Sequence, residues 1–138
     1  MPYLFSPHTA DVRLIVTGGT YEDVFRLALE AMAELMKENF CRTGREDFIQ
    51  KEELELKSID GTSLLVDFLS EVLTLSHIDK TIYCEVIFEA LTETEIRARV
   101  RGKATTQFDK DIKAVTYHEA ELKINEKGQW ESILVFDI

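Results

Sequence analysis

Three carboxyl groups stand at the two ends of this chain. Asp11 lies in the stretch HTADVRLI (residues 8–15), Asp137 in the closing VFDI, and the α-carboxylate of Ile138 follows it directly. If the first and last strands lie side by side, the three groups converge. Carboxylates that close repel one another, and a cation among them relieves the repulsion. Oxygen donors are hard ligands, so the chemistry would be capture of Ca²⁺, with Mg²⁺ or Mn²⁺ as alternatives, rather than of zinc. His8 and Thr9 stand beside Asp11 and would orient its carboxylate by hydrogen bonds; the other reading of His8 is a cap on the strand entry. Against all of this stands the plainer alternative that acids at chain ends are simply solvated.

Other routes to chemistry lack their residues. Neither G-x-x-x-x-G-K-[ST] nor G-x-G-x-x-G occurs, so a phosphate-cradling loop of those types is missing. There is no G-x-S-x-G elbow, and the cysteines have no evident histidine partner, so nucleophilic catalysis has no support. His8, His77 and His118 share no zinc-ligand spacing. DKD at 109–111 lacks the glycine and closing glutamate of a calcium loop and reads as a charged turn. Asp67 and Glu71 lie four apart on a helical stretch and read as a solvated flank. Cys41 and Cys84 read as small hydrophobic residues in a reducing compartment, with a disulfide between them the alternative.

Composition narrows the class. A chain of 138 residues with 45% hydrophobic residues can bury a core as one domain. The N-terminus MPYLFSPHTA has no basic region leading into an apolar run. No apolar stretch approaches the ~20 residues of a membrane span. The expectation is a cytoplasmic protein that does not use a membrane. Twenty-six acidic residues against 16 basic ones give a formal charge of −10. That field repels nucleic-acid phosphates and suits a cation or a partner with a positive surface, so direct nucleic-acid binding is not expected.

The elements that must position the carboxylates are legible from period and punctuation. VRLIVTGG (12–19) reads as a strand running into a turn, and Thr20 with Asp23 forms a capping-box-like start. Phe25, Ala28, Leu29, Met32, Leu35 and Met36 recur at helical spacing. The segment 41–52 reads as loop, followed by a short strand, ELELKSI. DGTS (60–63) then opens a second helix, with Leu64, Leu65, Phe68, Leu69, Val72 and Leu75 on its apolar face and its end near His77.

In IRARVRGK (96–103), Ile96, Ala98, Val100 and Gly102 alternate strictly with four basic residues, and in YCEVIFEA (83–90) Glu85 and Glu89 occupy one face. Folding the two around Thr92-Glu93-Thr94 sets Glu89 opposite Arg97 and Glu85 opposite Arg101. The basic stripe is therefore a sheet-pairing device rather than a phosphate site. The end of the chain reads as a closing hairpin with Gly128 in its turn, and alternation places His118 on the same side as Ala120 and Leu122, partly buried. Strands outnumber helices without regular βα alternation. The predicted fold is α+β: two helices packed on a mixed or antiparallel β-sheet in a single two-layer domain.

HTADV near the N-terminus, KAVTYH at 113–118 and the closing VFDI, in that order, resemble the archeases over essentially the whole chain. The resemblance implies a helper rather than an enzyme. Archeases act as cofactors of the RtcB-type RNA-splicing ligase, which joins tRNA halves using GTP and divalent metal. They promote attachment of GMP to the ligase histidine, support multiple turnover and can broaden the nucleotides accepted. Carried over, the family's metal site falls on Asp11, Asp137 and the carboxylate of Ile138, and Lys113 matches a lysine regarded as functional. The competing classes are a small metal-dependent phosphohydrolase using the same carboxylates, and a chaperone-like interaction module.

Overall fold

The first and last strands are neighbours. In a computed structural model that describes residues 11–138, β1 (Asp11–Gly18) and β7 (Trp130–Asp137) pair antiparallel along their whole length. Between them in sequence come α1 (Tyr21–Met36), β2 (Gln50–Lys57), α2 (Gly61–Asp79), β3 (Thr81–Leu91), β4 (Glu95–Ala104), β5 (Ala114–Thr116) and β6 (Lys123–Ile124). The strands form two antiparallel sheets rather than one. The first has the order β1-β7-β5 with β6 also paired to β7, and the second has the order β2-β4-β3. The α+β class is as expected. The division into two sheets was not visible, because strand pattern gives faces but not which strands share a ladder.

Local chemistry sets the helix starts. The Asp23 N–H donates to Thr20 Oγ1 at 3.1 Å, the cap read from sequence, and the Ser63 N–H donates to Asp60 Oδ1 at 2.8 Å. The apolar stripe of α1 is buried from Val24 to Met36. α2 continues past His77 to Asp79 and ends on Lys80 in the left-handed conformation, φ 52. Both helices pack against both sheets. One core therefore joins Val16, Leu134 and Phe136 of the first sheet to Ile82, Ile96 and Val100 of the second through Phe25 and Phe68 of the helices.

The β3–β4 hairpin keeps half of its expected register. Glu85 pairs with Arg101, but a bulge between Phe88 and Ala90 sets Ala90 opposite Arg97. Glu89 instead meets Arg99, at 3.1 Å. An extra residue at a bulge is what a strict two-residue alternation cannot anticipate. The basic stripe is nevertheless engaged within the fold. Arg101 lies 3.7 Å from Glu85 and also donates to Phe48 O, and the Lys103 ammonium donates to Thr43 O above the Phe40 ring.

Three further readings are corrected. Cys41 and Cys84 form a disulfide, because the turn after α1 returns across β3 and leaves their Cα atoms 5.5 Å apart, within bridging range. Asp67 is not a solvated flank: it is half-buried and accepts hydrogen bonds from Ser58 Oγ at 2.6 Å and from the Tyr117 hydroxyl. His118 is exposed, because β5 ends at Thr116 and the chain turns, with the Ala120 N–H donating to Tyr117 O at 3.2 Å. Alternation stops where the strand stops. Gly128, at φ 77, occupies the β6–β7 turn as expected.

Two predictions follow from this packing. A Cβ at Gly102 would lie 1.9 Å from Ile82 O, so β3 and β4 can approach only with glycine there. Gly102→Ala is expected to lose about 1–3 kcal/mol or more of stability in urea unfolding, and an unchanged midpoint would contradict the close approach. The second concerns alkaline pH. The Tyr21 hydroxyl donates to Thr92 O at 2.9 Å, and burial, with Glu93 and Asp60 nearby, pushes its pKa up to about 12. Burial and a hydrogen bond to Asp79 also raise the Tyr83 phenol. The native state then keeps protons that the unfolded chain loses from the ordinary value of 10.0 upward. Stability is complete below that pH and falls as pH rises toward about 12. The urea midpoint should decline over this interval, and less steeply in Tyr21→Phe.

Candidate acidic tip

Alternation along β1 and β7 decides which side chains meet solvent. Phe136 and Leu134 are fully buried, and Val12 and Leu14, their partners in the register, pack against the same core. The alternate positions therefore lie on the opposite face of the sheet: Asp11, Arg13 and Ile15 on β1, and Asp137, Val135 and Ile133 on β7, of which Val135 is itself buried. Asp11 is directly opposite Asp137, and Ala114 of β5 is opposite Asp137 on its other side. The two acids thus share one face of adjacent strands, with Cα atoms about 4.5–5.5 Å apart.

The end of the chain is fastened beside them. The Lys113 N–H donates to Asp137 O at 2.7 Å, and the Ile138 side chain packs against the core. That anchoring holds the backbone of Asp137 and Ile138 beside β5. Lys113 is exposed at the mouth of β5. His8 and Thr9 lie outside the described residues.

Like charges directly opposite in a sheet are destabilising. The tip holds two of them, Asp11 and Asp137. Among the described residues no point gathers three His, Cys, Asp or Glu side chains. The tip supplies two such side chains, and the third donor of the expected set is the main-chain carboxylate of Ile138. A donor set made only of carboxylate oxygens fits a hard divalent ion such as Ca²⁺, Mg²⁺ or Mn²⁺ and does not fit zinc.

Sequence reasoning missed two contacts around the tip. Arg13 donates to Glu119 Oε1 at 3.2 Å across 106 positions of sequence. The Tyr117 hydroxyl binds Asp67 of α2, and this hydrogen bond raises the phenol's pKa. No local pattern could have found either pair, since their partners are joined only by the order of strands in the sheet. Elsewhere, an open groove of about 870 Å³ runs between α1 and β3, with Arg26, Arg42, Arg45 and Arg101 among its lining residues. Each of those arginines is engaged by a carboxylate of the chain itself. Among the described residues no helix is long and apolar enough to cross a membrane.

Comparison with known proteins agrees with this architecture. Residues 3–138 match the Archease protein family (MTH1598/TM1083). The chain is 33% identical to the protein archease of Methanosarcina mazei, over 99% of its own length and 95% of the relative's. It is 36% identical to that of Methanosarcina barkeri with the same shares covered. The solution structure of Methanobacterium thermoautotrophicum protein 1598 superposes with a TM-score of 0.73 at 24% identity, covering 96% of each chain. The crystal structure of a Thermotoga maritima protein, described as an archease and possible chaperone, gives 0.61 at 16% identity, covering 99% of this chain and 98% of that one. Those two likenesses concern the fold. With the family match over nearly the whole chain and relatives above 30% identity, this protein belongs to the archease family.

Proposed function

We propose that this protein activates an RtcB-type RNA-splicing ligase, promoting formation of the ligase histidine–GMP adduct and repeated turnover, and that it carries one divalent cation at the tip. The reading is carried by one observation: in an archease chain, Asp11 and Asp137 oppose each other on adjacent strands, facing outward. Asp11, Asp137 and the α-carboxylate of Ile138 would hold the ion. When bound, such a cation supplies neutralisation of charge developing on phosphoryl oxygens.

The chain's own residues account for the rest. The strand pair fixes the two aspartates without loop freedom, so their oxygens are held ready for the ion. A net charge of −10 draws the protein toward a basic, phosphate-binding cleft and repels competing nucleic acid. Lys113, exposed beside the tip, would contact a phosphate or a carboxylate of the partner. A chaperone-like role is a second reading, supported by the description of the Thermotoga maritima structure as a possible chaperone.

A ligase assay discriminates these readings. With purified ligase, GTP and Mn²⁺, the protein should accelerate formation of the ligase–GMP adduct, while Asp11→Asn and Asp137→Asn should lose at least about tenfold of that acceleration. Equal acceleration by the variants would refute the cation tip. Phosphatase activity of the protein alone would favour the hydrolase reading, and metal-independent suppression of aggregation the chaperone reading. A further prediction concerns the terminus: one glycine added after Ile138 turns the carboxylate into an amide. It should weaken Ca²⁺ binding by at least about tenfold while leaving the urea midpoint unchanged. Unaltered affinity would remove Ile138 from the ligand set.

A further inference from the structure

The outward face of the β1–β7–β5 sheet is laid out in rows. Asp11, Asp137 and Ala114 form one, and Arg13, Val135 and Thr116 form the next. Two residues along a strand are about 7 Å apart, a span that an extended arginine side chain covers, so Arg13 is within reach of both aspartates. Its guanidinium nevertheless points the other way. It donates to Glu119 Oε1 at 3.2 Å, in the turn that follows β5, and Val135, the register partner of Arg13, is 5% exposed.

Glu119 is set up for this contact. Its backbone lies at φ 61, the left-handed region that a glutamate seldom adopts. Hydrogen bonds on either side hold the turn: the Ala120 N–H to Tyr117 O at 3.2 Å and the Glu121 N–H to Glu119 O at 2.9 Å. Tyr117 is in turn tied to Asp67 on α2, and Ala120 is buried. A strained residue held by its surroundings, whose side chain engages an arginine two residues from Asp11 on the same strand face, points to a positioning role.

We infer that Glu119 is a positioning residue that holds Arg13 away from the Asp11–Asp137 pair, so that the tip keeps its negative charge for a hard divalent cation. The purpose assigned to the contact rests on the reading of the tip as a cation site; the contact's effect on Arg13 does not. Without Glu119, a guanidinium gains by turning to two carboxylates, for which its planar fork is well matched. It would then occupy ligand oxygens and place a positive charge where the ion binds.

Two measurements test this. In metal-free protein, the Arg13 Nε–H resonance is followed by NMR in wild type and in Glu119→Gln, each with and without Asp137→Asn. The aspartate change should leave the resonance in place when Glu119 is present and shift it when Glu119 is absent. Indifference to Asp137 in both backgrounds overturns the positioning role. Ca²⁺ affinity is then measured by calorimetry. Glu119→Gln should bind roughly two- to fivefold more weakly than wild type, and adding Arg13→Ala to it should restore the loss. Equal affinity in Glu119→Gln, or a double variant as weak as Glu119→Gln alone, overturns the inference. A wild-type protein that takes up neither Ca²⁺ nor Mn²⁺ overturns the cation reading, and the resonance alone then decides whether Glu119 positions Arg13.

Discussion

The register between β1 and β7 is the constraint on which the rest of the structure depends. Side chains on a strand alternate with a period of two, so a slip of one residue would turn every one of them to the other face. The buried set of Leu134 and Phe136, with Val12 and Leu14 opposite, rules out any slip by an odd number of residues, which would turn apolar groups outward. The observed alignment sets Asp11 against Asp137. The acidic tip is thus held in place by the core beneath it, and the hydrophobic free energy of the inner face fixes the geometry of the outer one.

Facing charges along β4 are mostly of opposite sign. Along β4, Arg97 faces Glu55, Arg99 faces Glu53 and Arg101 faces Glu85 on the neighbouring strands. Each such pairing favours the sheet by tenths of a kcal/mol up to ~1. At the tip the pairing is between like charges, which opposes folding by a comparable amount.

Rigidity around the tip comes from elements remote in sequence. Both helices touch both sheets, so neither sheet can shift without disturbing the shared core. Asp67 of α2 reaches Ser58 after β2 and Tyr117 after β5, linking the two sheets through one carboxylate. The same turn that presents Tyr117 carries Glu119 across to Arg13. The Cys41–Cys84 bridge fastens the segment after α1 to β3.

Features set by local chemistry were legible in the amino-acid order. Thr20 and Asp23 specify the start of α1, Gly128 the last turn, and the spacing of Phe25, Leu29 and Met32 a buried helical face, because each of these depends on neighbours within a few residues. The alternation in β4 likewise identifies a strand with one wet and one dry face. The motifs HTADV, KAVTYH and VFDI identified the family, and Asp11 and Asp137 as the residues of interest. What only the tertiary structure decided are relations across long separations: the division into two sheets, the bulge that moves Glu89 to Arg99, the Cys41–Cys84 bridge, the half-burial of Asp67 and the exposure of His118. Above all it decided that Asp11 lies opposite Asp137 and that Arg13 turns to Glu119. Such contacts depend on which strands share a ladder and in what register. That choice is made by the collective burial of a core, so no short window of sequence contains it.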